Sequence, residues 1–151
     1  MPYPREATQA DVAYVASNLR KADEIEMRRA YGTADIVEQF VTGHHAATMS
    51  VAGCSDDGTP FAVFGVTPSA VPLVGYPWML GTPDIVKNTK TFLVRCPEFV
   101  AKMHDHYPVL LNFVDQDNKL AIRWLKWLGF KFSAPFDLRG HPFLPFYRTK
   151  D

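Results

Sequence analysis

The residue types best suited to chemistry in this chain are histidines, carboxylates and a basic, tryptophan-rich run, and spacing decides what each could do. His104-x-His106 and His44-His45 have the composition of metal pairs. Zinc needs three or four converging ligands, and residues two apart on a helix point to different sides. With no nearby cysteine or third ligand, no metal is expected. Asp115-Gln-Asp-Asn118 begins like a calcium loop but lacks the glycine and terminal glutamate that such a loop uses. It reads as a turn and cap ahead of a helix. Trp78, Trp124 and Trp127, with Lys119, Arg123 and Lys126, have the chemistry to stack on bases, yet stacking platforms come with a broader basic groove. Indole rings more often anchor a core or an interface, so nucleic acid is not an expected partner.

The elements that must position these residues follow from periodicity and punctuation. Val109-Leu-Leu-Asn-Phe-Val114 is a short apolar run of strand type. After it, Leu120, Ala121, Trp124, Leu125 and Leu128 recur at helical spacing, with Asn118 placed to cap the helix and Gly129 placed to end it. At the N-terminus, Thr8-Gln-Ala-Asp11 has the spacing of a capping box, and Val12, Val15, Ala16, Leu19 and Ala22 trace one face of the helix it would start. The charged run Lys21 to Arg29 is expected to be a solvated helical face or a turn between helices, because charges are seldom buried. Thr33 is placed to cap a helix carrying Ile36, Val37, Phe40 and Val41, with Gly43 to close it.

Ala46 to Gly53 and Pro60 to Val66 read as strands joined by Ser55-Asp-Asp-Gly58, whose Asp-Gly pair suits a hairpin. Thr67 to Pro77 is expected to be a loop leading into the strand-like Trp78-Met-Leu-Gly-Thr82. Ile85 to Val94 and Glu98 to Tyr107 have helical character, with a kink or break near Arg95 because Pro97 removes a hydrogen bond. The order predicts a mixed α/β (α+β) domain spanning residues 1–151, in which a sheet carries helices on both faces.

Composition agrees with one globular unit. Hydrophobic residues make up 47% and charged residues 21% of 151 residues, and a chain of that length hides roughly two thirds of its unfolded surface. Sixteen Lys and Arg balance sixteen Asp and Glu, which removes any whole-molecule charge argument for a nucleic-acid or membrane partner. Cys54 and Cys96 are too few and too far apart for a disulfide framework, so reduced thiols in a cytoplasmic setting are expected. No leader is expected from Met1-Pro-Tyr-Pro-Arg-Glu, and no apolar run reaches the length of a membrane span.

Asn118, Ala121, Gly129 and Phe130 together resemble the end of a GNAT acetyltransferase domain, where a strand is followed by Asn-x-x-Ala, seven residues and Gly-Phe. Arg5-Glu-Ala-Thr8 with Asp11 is similar to the usual GNAT start. Phe64-Gly-Val66, Pro77-Trp-Met-Leu-Gly-Thr82, Tyr107-Pro108, Asn112-x-Val114-Asp115 and Arg123-Trp-Leu-Lys-Trp-Leu-Gly-Phe130 resemble more narrowly a family of small phage proteins. That family is related to an internal virion protein of short-tailed phages and is itself GNAT-like. The resemblance implies a mostly antiparallel sheet and a phage structural or host protein as partner. It also implies a location in the host cytoplasm or in the virion.

For a GNAT enzyme the resemblance implies acetyl-CoA, held at a helix N-terminus by backbone N–H groups of a glycine-containing loop. Here that site would draw on Leu80, Thr82, Lys87, Asn88, Thr89, Lys90 and Asn118, but the spaced glycines are missing and Asp84 would repel a phosphate. The tyrosine that usually protonates the leaving thiolate falls at Leu125, which has no proton to give. Tyr107, with Asn118, is the substitute candidate; Tyr76 and His106 are further donors with no assigned place. The resemblance therefore implies either an accessory or morphogenesis protein with degenerate acetyltransferase motifs, or an N-acetyltransferase of unassigned acceptor with a rearranged site.

Overall fold

Thr8 and Asp11 do form the capping box that their spacing predicts, each side chain bound to the other's backbone N–H, and Arg5 pairs with Asp11. They start helix α1 (Gln9–Ser17), which follows strand β1 (Tyr3–Glu6) in a computed structural model that describes residues 2–151. Because α1 ends at Ser17, Leu19 and Ala22 do not extend its face. The charged run takes the helical alternative, α2 (Lys21–Tyr31), with a largely solvated face, but Asp23 and Met27 on it are buried. Helix α3 (Ile36–Ala46) is capped by Asp35 instead of Thr33 and runs through Gly43. A glycine inside a helix only weakens it, and Phe40 and Val41 packed against the core hold the turn together.

Strands β2 (Met49–Cys54) and β3 (Pro60–Pro68) make the expected hairpin, with Gly58 at φ 86° in its turn. Strand β4 (Val74–Gly81) starts earlier than the proline-and-glycine content suggests, because the whole stretch pairs with β3 from Pro68↔Gly75 to Ala62↔Gly81. A 3-10 helix (Pro83–Asn88) leads into α4 (Thr89–His106), which continues through Pro97. The expected break near Arg95 is absent as an interruption; Phe92, Cys96, Phe99, Val100 and Met103 form one buried stripe that holds both halves of the helix to the sheet. Strand β5 (Val109–Asp115), helix α5 (Lys119–Trp127) and short strands β6 (Lys131–Phe132), β7 (Phe136–Leu138) and β8 (His141–Thr149) complete the chain.

Among the described residues the sheet has eight strands in the order β1-β2-β3-β4-β5-β8-β6, with β7 on β8. All pairings are antiparallel except β4 with β5. Helices α1 to α3 cover one face over Ala52, Cys54, Val63 and Leu80. Helices α4 and α5 cover the other, where Phe61, Phe64, Phe92, Phe99 and Trp124 meet edge to face or tilted. No helix among the described residues is long and apolar enough to cross a membrane.

Candidate functional site

The parallel pair β4–β5 is joined by backbone register only at Val74↔Val109 and Gly75↔Leu110. Beyond it β4 runs to Gly81 and β5 to Asp115 with no register between them, so the sheet opens toward the C-terminal ends of both strands. Buried backbone N–H and C=O groups along such an opening need partners from elsewhere. Asn112 supplies the first, donating from Nδ2 to the Pro77 carbonyl at 2.8 Å.

Helix α2 and the Arg20 before it engage the C-terminal ends of both strands. Asp23 and Glu26 are one turn apart, on the side of the helix that also carries buried Met27. Asp23 Oδ2 accepts the Gly81 N–H at 3.0 Å, and the Arg20 N–H donates to the Gly81 carbonyl at 2.8 Å. Both backbone groups at the end of β4 are thereby engaged. On the other side, Glu26 Oε1 accepts the Asp115 N–H at 3.0 Å.

Asn118 links the two sides. Its Nδ2 donates to Asp23 Oδ1 and to Glu26 Oε1, both at 3.1 Å, while its Oδ1 accepts from Arg20 Nη2 at 2.6 Å. The expected capping role is not taken: the side chain makes no cap bond to α5. The residue is 2% exposed, and Asp115 beside it 1%. Arg20 also pairs with Asp23 at 3.0 Å, and Arg29 reaches both carboxylate oxygens of Asp115 at 3.1 Å and Asp117 at 2.7 Å. Burial pushes the Glu26 carboxyl up to about 7, against the lowering effect of the Asp115 and Asn118 donors. Burial likewise raises Asp23, against the pull of Arg20 and Asn118.

The loop that would hold a cofactor pyrophosphate is closed on itself. Leu80 is fully buried and Thr82 is 4% exposed. Thr82 Oγ1 accepts the Asp84 N–H at 3.3 Å, Asn88 Nδ2 donates to the Asp84 carbonyl at 3.0 Å, and Thr89 Oγ1 donates to the Ile85 carbonyl at 3.1 Å. Lys87 pairs with Asp84 at 3.5 Å, and Lys90 is exposed. None of the positive-φ glycines lies in this segment. The loop therefore lacks the glycines of a phosphate cradle, and Gly81 at the end of the opening is already engaged within the chain.

Other candidates lie apart from this place. Tyr107 is at the far end of β5 from Asn118, a strand length of roughly 20 Å. Its ring rests on Gly75, where a Cβ would come within 2.5 Å of Tyr107 Cδ2, and its hydroxyl bonds Thr48 Oγ1 at 2.7 Å. Leu125 is partly buried against the core. Tyr76 is 39% exposed. His104 is buried, with Nδ1 on the Tyr107 carbonyl at 2.9 Å, while His106 is exposed. His44 meets Ser50 and His45 meets Gln9; both line an open cleft of about 710 Å³ with Arg5, Arg95 and Lys102. Among the described residues no three His, Cys, Asp or Glu side chains converge as metal ligands.

Sequence reasoning missed Asp23, Glu26 and Arg29. A signal was there, since Asp23, Glu26, Met27 and Ala30 follow the i, i+3, i+4, i+7 pattern of an inward face. The carboxylates on that face masked it.

Solved structures that superpose on this chain include acetyltransferases. Ard1 from Thermoplasma volcanium superposes with a TM-score of 0.73 at 12% identity, covering 98% of this chain and 97% of that one. A phosphinothricin acetyltransferase from Sinorhizobium meliloti, solved in complex with AcCoA, gives 0.70 at 12% identity, covering 98% and 88%. A ribosomal-protein-alanine N-acetyltransferase from Brucella melitensis gives 0.70 at 10% identity, covering 98% and 99%. At such identities the likeness shows the fold, which is the GNAT-like one that the Asn118 to Phe130 pattern implies. Comparison with curated proteins gave no match. A family described as bacteriophage T7, probable scaffold protein Gp13, matches residues 40–137. That span includes β2 to β5, α5 and both ends of the opening, and the chain belongs to this phage family.

Proposed function

We propose that this phage GNAT-fold protein works as an accessory or morphogenesis protein, a partner of phage structural proteins in the host cytoplasm or the particle, and that residues 1–151 act as a single domain without acetyl transfer. The observation that carries it is the separation of the candidate groups. Acyl transfer to an amine needs a proton donor near the leaving thiolate and a held thioester. Tyr107 and Asn118 lie at opposite ends of β5, each engaged by its own neighbours, and Leu125 packs against the core between Trp124 and Lys126 of α5. The family description, a probable scaffold protein of a phage, supports an assembly role.

A second reading is favoured by the acetyl-CoA present in solved relatives of the same fold. In it, Lys87, Asn88, Thr89 and Lys90 hold the cofactor and Tyr107 is recruited by movement. Melting in the presence of millimolar acetyl-CoA separates the two. The accessory reading expects an unchanged Tm, whereas a ligand at 100 times its Kd would stabilise by about 2.7 kcal/mol, several degrees for a chain of this size. A shift of that size, lost in Lys87→Ala and Asn88→Ala, would overturn the first reading's unchanged Tm and establish the cofactor site that the second requires. Mass spectrometry of purified particles and of assembly intermediates is expected to detect the chain; its absence from both would overturn the assembly role.

A further inference from the structure

We propose that α2 carries a built-in ligand for the β4–β5 opening: the Asp23 and Glu26 carboxylates, bridged by Asn118, occupy the place between the strands that a cofactor would need. The inference goes beyond the assembly role, since it concerns how the fold is completed and holds for any partner.

A strand pair that parts leaves donors on both inner edges, and each must be met by water, a bound molecule or the chain itself. In this chain the Gly81 N–H is met by Asp23, the Asp115 N–H by Glu26, and the Pro77 carbonyl by Asn112. Asn118 then ties the two carboxylates together with a single amide nitrogen, a task no carboxylate or hydrocarbon side chain at that position could perform. Arg20 closes the set from the start of α2, bonding Asn118 and Asp23. Arg29 fixes the far end on Asp115.

Entry of an extended thioester at the C-terminal ends of the two strands would have to displace Asp23 from Gly81 and Glu26 from Asp115. It would leave those carboxylates, with Arg20 and Asn118, short of partners, and stranded buried charges are costly. The ligand class that matches the opening is therefore a carboxylate, and the chain provides it in cis.

Hydrogen exchange on the wild-type chain decides the matter without any substitution. The proposal expects slow exchange at Gly81 and Asp115, protected by side-chain acceptors from α2; fast exchange at both would overturn it. A second measurement uses small carboxylates as probes. Asp23→Ala and Glu26→Ala should melt lower than wild type, and formate or acetate at about ten times its Kd should raise their Tm by about 3 °C. The same salts should leave wild type and Glu24→Ala, an exposed carboxylate on the same helix, unmoved. Equal shifts in all four proteins would sink the internal-ligand assignment. Acetyl-CoA binding that leaves Gly81 and Asp115 protected would place the cofactor outside this end of the opening and leave the internal ligand standing, whereas binding that deprotects both would overturn it.

Discussion

Glu26 is the residue at which folding and protonation meet most directly. Its carboxylate faces the Asp115 N–H and the Asn118 amide, with the Asp23 and Asp115 charges nearby and Tyr31 on its own helix. Its acidity is displaced from the ordinary 4.5 to about 7 by burial. The folded chain then keeps a proton that the unfolded chain has released, so this contribution to stability is full below about pH 4.5 and is lost as pH rises through about 7. Asp23, raised by burial as well, adds to the same slope. Glu26→Gln removes the charge while keeping an acceptor for Asp115. The expected outcome is a variant roughly 1–3 kcal/mol more stable than wild type at pH 8, at the lower end because the residue is only half-buried, and equal to it at pH 4.5. Urea melts at both pH values test this, and an unchanged gap between them would show that Glu26 is ionised throughout.

Helix α4 shows what an element can tolerate. Pro97 lies inside an 18-residue helix, leaving the Leu93 carbonyl without its i+4 donor, yet the buried stripe from Phe92 to Met103 keeps the helix continuous. Pro97→Ala restores the donor and is expected to raise Tm by about 2–4 °C, the equivalent of roughly 1 kcal/mol. A drop would mean that the packing of Cys96 and Phe99 is shaped around the proline. The same balance explains how far the elements were legible in sequence. Thr8 with Asp11, Asp57 with Gly58, and Gly129 act through bonds or dihedral angles local to themselves, and each does what its spacing predicts. Where a local signal competes with packing, packing wins: Gly43 does not stop α3, Pro77 does not stop β4, and Asn118 gives up its cap for contacts 92 to 98 residues away in sequence. Those long-range contacts define the candidate site, and no periodicity in a single segment could report them. The pattern of Asn118, Ala121, Gly129 and Phe130 did locate one end of the opening, while α2, hidden behind its charges, supplied the other.

For the whole molecule, the consequence of a two-residue backbone register between β4 and β5 is that the sheet is nearly two sheets. One part, β1 to β4, and the other, β5 to β8, are held by that register, by Asn112, by the α2 carboxylates and by α4 lying across both. Whether the two helix layers lift from the sheet together can be read from the cysteines. Cys54 is fully buried under α1 to α3, and Cys96 is 7% exposed in the α4 core, on the opposite face. Burial raises both thiols, Cys96 to about 12, so neither reacts appreciably until its surroundings open. Pulsed alkylation in mild denaturant is expected to modify both at one rate, because β2 and β3 carry core residues of both faces; faster loss of Cys54 would show that the α1 to α3 side opens first. Two ordinary buried cysteines thus become a pair of chemical clocks, one timing each face of the sheet, in a chain that needs no introduced thiol to be timed.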